Sequence, residues 1–450
     1  MSVDSRRNHP HSSVKTIPSR SVKRELTQSL RTKLRGRVWS PPLRSALRDF
    51  GGTTQRIPQL VVETTCEADV LATMAECRER GLPLVVRGAG HSCGGQSLGE
   101  GGVVLWNRSD VADARLEGDE VEVSGRTTWN ALEAFLGARD RTPLVMPDHL
   151  DLTVGGTLSV GGYGVRSVAW GSQVDRVRSL RLITPDSNAR WLDATDPLAR
   201  HALAGLGRVG VIERVRMSTA PRRPAVRWCT REFTSLAGLA AWMHWVEAET
   251  ADNLWIDAWH EGDTATAEWG IEAPDRATAK AATVPGPPPQ QDAIAWHLPL
   301  RLHDQRSRWV ASFPRHRRLW VDYMLPHGPF VQLCEFLDRA RIDGSPSPNA
   351  VYVLASRLPP KHEPAVYSPS PWPMSYGVGA YFMVHPDRST AEVEAALLRF
   401  ADEARRLGGR PYRYGWGARA PQDEAMTELR RRVGAEPWFA PLSPPSASRP

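Results

Sequence analysis

The sequence predicts an α+β protein, and three observations predict it. Strand-like apolar runs alternate with single short helices in the first half, and glycine-rich turns break that half at three places. The second half is dense in tryptophan and mixes strand-like with helix-like stretches. With 450 residues, 41% of them apolar, the chain can bury a large core divided between two domains.

Residues 1–50 hold twelve Lys and Arg against three acids, an excess larger than the net +7 of the whole chain. Rich in Ser and poor in apolar periodicity, they are expected to form a basic, disordered N-terminal arm. The arm lacks the interleaved aromatics of a single-strand binder, so nucleic acid is not expected as a partner. Arg6-Arg7 is followed by no apolar run of the length an export signal needs, and no stretch of about 18 apolar residues occurs, so no membrane span is expected. The five cysteines, Cys66, Cys77, Cys93, Cys229 and Cys334, show no disulfide framework. They read as reduced thiols of a cytoplasmic protein.

A first domain is expected over 51–222. It opens with a strand near Arg56–Val62 and a helix from Glu67 to Arg80 that stops at Gly81. Then comes the loop Pro83-Leu-Val-Val-Arg-Gly-Ala-Gly-His-Ser-Cys-Gly-Gly-Gln-Ser97, which sets His91 among glycines. Gly88 and Gly90 can adopt backbone angles closed to other residues, and successive N–H groups in such a turn form a nest for a pyrophosphate. A Rossmann fingerprint would need a helix next. None fits, because the chain runs directly into the strand-like Val103–Asn107. A strand at Glu120–Val123 and a helix at Trp129–Leu136 precede the glycine-rich Asp148–Gly164, which has almost no helix potential. A third glycine turn, Ala204–Gly210, leads into a strand alternating apolar and charged residues. Three such segments in order point to an extended ligand.

The pieces Arg87-Gly-Ala-Gly-His-Ser92 with Gln96, Leu152-Thr-Val-Gly-Gly-Thr-Leu-Ser159, Gln173-Val-Asp175, Gly205-Leu-Gly207 and Gly210-Val-Ile212 carry a resemblance. The chain resembles the FAD-linked oxidase family of the vanillyl-alcohol oxidase type, and within it cytokinin dehydrogenases and their bacterial relatives. That resemblance implies a PCMH-type FAD-binding domain of two α+β subdomains and a substrate-binding cap built on an antiparallel sheet with helices. It implies FAD attached covalently through His91, with Val86, Gly88, Ala89, Gly90, Ser92, Gln96, Thr153, Ser159, Tyr163 and Ile212 in contact with the cofactor. It also implies Asp148, five residues before Thr153, as the active-site base beside the flavin. The chemistry explains such a base: as hydride leaves a carbon next to nitrogen, a carboxylate must take the nitrogen's proton. Doubly tethered relatives carry a cysteine where this chain has Asp151, so a second tether is not expected.

The cap is expected over 223–405, with a helix-like Leu236–Glu249 before strand-like Asn253–His260 and Thr264–Ile271. Its tryptophans read as scaffold, or as stacking partners for a planar substrate, with Trp255 and Trp259 the candidates. Asp257 or Glu261 stands where a supporting acid would be needed. The proline-rich runs 285–289, 345–348 and 358–373 read as surface loops. Residues 406–450 are expected to return partly to the first domain with a shortened tail, because the family's closing Lys, Asp-Pro and Pro-Gly element is replaced by a Ser/Pro-rich end.

The expected function is dehydrogenation of a small organic substrate at a C–N or C–O bond, with molecular oxygen or another acceptor reoxidising the flavin. Two alternatives stand beside it: an alcohol or sugar oxidase of the same fold, and a degenerate flavoprotein or scaffold whose arm binds acidic partners. No metal is expected, since His297 and His303 lack spaced partners.

Overall fold

The computed structural model describes residues 20–186, 188–418, 423–435 and 438. Three sheets organise them. The first contains the parallel strands Leu60–Glu63, Val103–Trp106 and Leu84–Arg87, with Arg37–Trp39 as an antiparallel edge. Their continuous apolar runs suit strands covered on both faces. Helix Glu67–Glu79 covers one of them, burying Val70, Met74 and Cys77.

The expectation of a disordered arm over 1–50 does not hold where the chain is described. Residues 20–33 form a helix that buries Leu26 and Leu30, one turn apart, beside helix Glu67–Glu79. The basic charge also finds local partners. Lys33 pairs with Glu76, Ser29 Oγ donates to the same carboxylate at 2.6 Å, and the N–H groups of Arg35 and Gly36 donate to Asp69 at 2.8 and 3.1 Å. A two-leucine stripe and two acids on a neighbouring helix were enough to order a segment whose composition reads as solvated. Residues 1–19 lie outside the described residues.

In the second sheet the strand Val211–Pro221 is central, antiparallel to Glu120–Ser124 on one side and to Val177–Ile183 on the other. Its alternation is resolved as expected: Val215 and Met217 enter the core, while Arg214 and Arg216 meet Glu122 across the ladder. The glycine-rich segment before it departs from expectation, because Val154–Leu158 is a short helix. Thr153 starts it by accepting the Gly156 N–H at 3.3 Å, so a cap outweighs poor intrinsic propensity.

The third sheet has eight antiparallel strands, in the order 291–296, 225–233, 264–273, 254–261, 350–357, 374–384, 317–325 and 410–412. One face, with Leu319, Val321, Tyr323 and Leu325, packs under helices Leu236–Trp242, His327–Ile342 and Ala391–Arg406. The other face looks toward the first domain. Two boundaries shift relative to expectation. Strand Arg410–Tyr412 is an edge of the cap sheet, so the cap extends past 405, and helix Glu424–Arg432 then places Met426, Val433, Ala435 and Trp438 in the first domain's core. The run 358–373 is not simply a surface loop either: Ala365 and Tyr367 join that same core, and Ser370 Oγ shares a hydrogen bond with Tyr163 at 2.8 Å.

The two domains are joined by a buried ion pair. Arg166 donates to both oxygens of Glu272, Nη2 at 2.5 Å and Nε at 2.6 Å, and its Nη1 donates to Thr142 Oγ1 and the Pro143 carbonyl. Glu272→Ala should leave the guanidinium uncompensated, costing about 3–5 kcal/mol. Equilibrium unfolding in urea checks this, and a loss under about 1 kcal/mol would show the pair to be dispensable.

Candidate FAD site

The glycine turns and the inner face of the cap sheet enclose one cavity of about 310 Å³. Val86, Gly88, Ala89, Gly90, His91, Ser92, Gln96, Asp148, Thr153, Ser159, Tyr163 and Ile212, separated by up to 126 positions in the chain, all line it. Among the described residues, the N–H groups of Gly88 through Ser92, all of which line the cavity, have no protein acceptor and are open to a ligand anion. Gly90 sits at φ +74°, and a Cβ there would fall 2.3 Å from the Arg87 guanidinium. That guanidinium is fixed by the carbonyls of Ser45 and Arg48 and by Ser97 Oγ, so the segment expected to be disordered braces the loop. Across the cavity wall, a Cβ on Gly125 would fall 2.1 Å from the Ile212 carbonyl oxygen. Here the backbone itself is the wall.

His91 is stacked on Phe50 with centroids 3.7 Å apart, 4.7 Å from His149 and 5.9 Å from Trp320. Its Nε2 has no hydrogen-bond partner among the described residues. Burial, reinforced by His149 and Arg318, pushes its pKa well below the usual imidazole range. The ring is therefore neutral at ordinary pH, the form with a free lone pair. His149 is likewise pushed down, to about 4, first by burial and then by His303.

Asp148 keeps part of its surface on the cavity while lying deep in the molecule. Burial raises its pKa, and Arg306 and a hydrogen bond from the Tyr352 hydroxyl oppose the rise. Arg306 is itself held by Asp257 at 2.5 Å and lies 4.6 Å over the Trp259 ring and 5.2 Å over Tyr352. These groups come together because the cap strands are in register: Trp259 faces Tyr352, Tyr352 faces Gly379, and Gly379 faces Asp322. At period two, Trp320, Asp322 and Met324 all turn toward the cavity from one strand.

Comparison with known proteins bears on the same stretch. Residues 58–193 match the family model described as "FAD binding domain". That stretch is therefore similar to an FAD-binding domain, and the chain resembles cytokinin dehydrogenases there. An uncharacterized oxidoreductase of the fasciation locus of Rhodococcoides fascians is 35% identical over 198 residues, covering 43% of this chain and 45% of that protein. Cytokinin dehydrogenase 4 of Oryza sativa subsp. japonica is 34% identical over 198 residues, covering 41% of this chain and 37% of its own length. Cytokinin dehydrogenase 1 of Arabidopsis thaliana is 29% identical over 232 residues, covering 49% and 40%. The matches thus span less than half the length of these curated relatives.

The residues present fit FAD. Free backbone donors suit its pyrophosphate, glycine walls admit a long ligand, and aromatic side chains flank the end of the cavity near His91. Gln96 is less free than expected, since its amide donates to the Arg413 and Gly415 carbonyls at 3.2 and 3.0 Å and ties the FAD domain to the cap. Tyr163 spends its hydroxyl on Ser370. Of the two tryptophan candidates, Trp255 is fully buried against Trp228 and does not line the cavity, whereas Trp259 does. Of the two acids, Asp257 is buried beside Arg306, while Glu261 lies outward and accepts from the Trp309 indole at 3.2 Å. Phe50, Arg306, Trp320, Asp322 and Tyr352 were not legible from sequence motifs. For Trp320-x-Asp322-x-Met324 the period-two pattern was the available signal.

Gly125→Ala tests the wall. The Cβ clash with the Ile212 carbonyl should destabilise the fold by about 1–3 kcal/mol and lower the FAD content of the purified protein, read as the ratio of flavin to protein absorbance. Unchanged stability and flavin content would show that the wall gives way.

Proposed function

We propose that the protein is an FAD-dependent oxidoreductase that removes a hydride from a C–N bond of a small organic amine, with Asp148 as the base and FAD tethered through His91. The carrying observation is the Asp148 carboxylate on the cavity wall, with Tyr352 and Arg306 arranged around it. When bound, FAD supplies the acceptor for the hydride.

The rest is done by the chain. Asp148 in its charged form accepts the substrate's N–H as a hydrogen bond and then holds that proton as the neighbouring carbon is oxidised. Tyr352, donating to Oδ2, and the Val165 backbone N–H together fix the carboxylate's rotation. Arg306 opposes the effect of burial and so favours the charged form of the carboxylate. Trp259 and Tyr352, opposite one another across the strand ladder, offer flat faces for an unsaturated substrate. The neutral His91 ring, unpartnered at Nε2 and held in one orientation by Phe50, would be the residue to hold the cofactor's ring end. Molecular oxygen or another acceptor would then take the electrons onward.

Asp148→Asn should slow anaerobic bleaching of the flavin by substrate about 10²–10⁴-fold while substrate Kd changes little; equal rates would remove the base. Because the charged form works, activity is lost as pH falls through the Asp148 pKa, which burial places above the ordinary carboxylate range. Arg306→Gln should move that acid limb of the kcat/KM profile to higher pH, and a limb that stays put would discard Arg306 as its positioning partner. Wild-type protein should keep its yellow colour through acid precipitation and His91→Ala should not. Colour washing out of the wild type would refute the tether.

A further inference from the structure

On the helical face of the cap sheet, turned away from the cavity, three side chains converge that the FAD chemistry does not use. We propose that His244, Glu247 and His327 form a site for one divalent transition-metal ion of the zinc class, independent of the flavin reaction. His244 and Glu247 lie three residues apart in the 3-10 segment Met243–Glu247, and His327 is the first residue of helix His327–Ile342. One ligand atom from each lies within 4.8 Å of the other two. His244 Nδ1 is 3.6 Å from Glu247 Oε2, and the two imidazole centroids are 4.6 Å apart. Donors held about 2.0–2.1 Å from a tetrahedral ion stand roughly 3.3 Å from one another, so one pair is already near that spacing and small side-chain rotations bring in the third.

The outer contacts prepare the ligands. His327 Nε2 lies 3.0 Å from the Ala240 carbonyl, which can only accept, so Nε2 carries the hydrogen and Nδ1 keeps its lone pair. Glu247 Oε1 accepts from the Tyr376 hydroxyl at 3.3 Å, leaving Oε2 turned to His244. A neighbouring cation, Arg357, is engaged by the backbone carbonyls of Val246, Glu247 and Glu249 rather than by the Glu247 carboxylate. Two imidazoles and a carboxylate suit zinc-class ions over magnesium or calcium, and the exposure of His244, 65%, leaves a fourth position for water. An ion there would pin the start of one helix to the turn after another, above strand Met374–Val384. His244 and His327 are far apart in sequence, which is why metal-ligand spacing gave no hint of them.

The test uses the full chain with its flavin, stripped by a chelator and titrated with Zn²⁺ against a chromophoric competitor. Wild type should take up one equivalent that Mg²⁺ does not displace, and saturating Zn²⁺ should raise Tm by about 2 °C or more. His244→Gln and Glu247→Gln, both solvent-facing and safe for folding, should each weaken binding at least tenfold. His385→Gln, in the separate exposed pair His316–His385, should leave it unchanged. Failure of wild type to bind Zn²⁺, or equal affinity in His244→Gln, would overturn the proposal. The flavin spectrum reports the other site, so the two readings fail separately.

Discussion

Burying three carboxylates in one cluster beside the cavity is affordable only because a guanidinium is buried with them. Asp257 and Glu268 face each other directly across two strands, and Asp148 stands close enough to raise the Asp257 pKa further. Without a counter-charge, like-charged neighbours removed from water would protonate or drive the strands apart. Arg306, reaching in from helix Leu298–Ala311, pairs with Asp257 and lowers the pKa of both Asp148 and Glu268. Its own pKa is raised by the same acids, so its charge is secure. The rings of Trp259 and Tyr352, 4.6 and 5.2 Å from the guanidinium carbon, add cation–π attraction that holds it beside the cavity wall.

The opposite wall is made by backbone, and the two are locked together by polar contacts that cross between domains. Arg166 with Glu272, Tyr163 with Ser370, and Gln96 with the Arg413 and Gly415 carbonyls each link the FAD-binding side to the cap. Residues 45–50 brace the lining from behind, through Arg87 and through Phe50 stacked on His91. The cavity is therefore a property of the whole fold. An isolated FAD-binding segment would keep Asp148 but lack Asp322, Arg306 and the aromatic faces.

The glycine turns were legible because a left-handed backbone such as that at Gly90 favours glycine, and such positions leave a local mark in any sequence. The strands flanking them were legible because the apolar runs Leu60–Val62, Leu84–Val86 and Val103–Leu105 are local patterns. The cap acids and Arg306 were not, because their meaning depends on strand register, which sequence periodicity does not fix between distant strands. Asp257 could be named as a candidate, yet nothing local distinguishes it from Glu261. The helix at residues 20–33 was missed because charge and serine content outweighed two leucines whose partner helix lies some forty residues on. The short helix after Thr153 was missed because its cap, not its composition, decides it.

Asp322 shows what that register adds. Its Oδ1 accepts from the Tyr381 hydroxyl at 2.9 Å while Oδ2 has no partner among the described residues, and burial lifts its pKa to about 7. Gly379 opposite it is required, since a Cβ there would fall 2.2 Å from Oδ1. Asp148 has a nearby cation opposing its burial; the causes acting on Asp322 are burial and two tyrosine hydroxyls, with no cation among them. Two acids lining one cavity are thus set apart in character: a cation opposes the effect of burial at Asp148, while Asp322 is left in balance between its two forms near neutrality. That separation is the physical condition under which one cavity can accept a proton at one end and keep another in reserve.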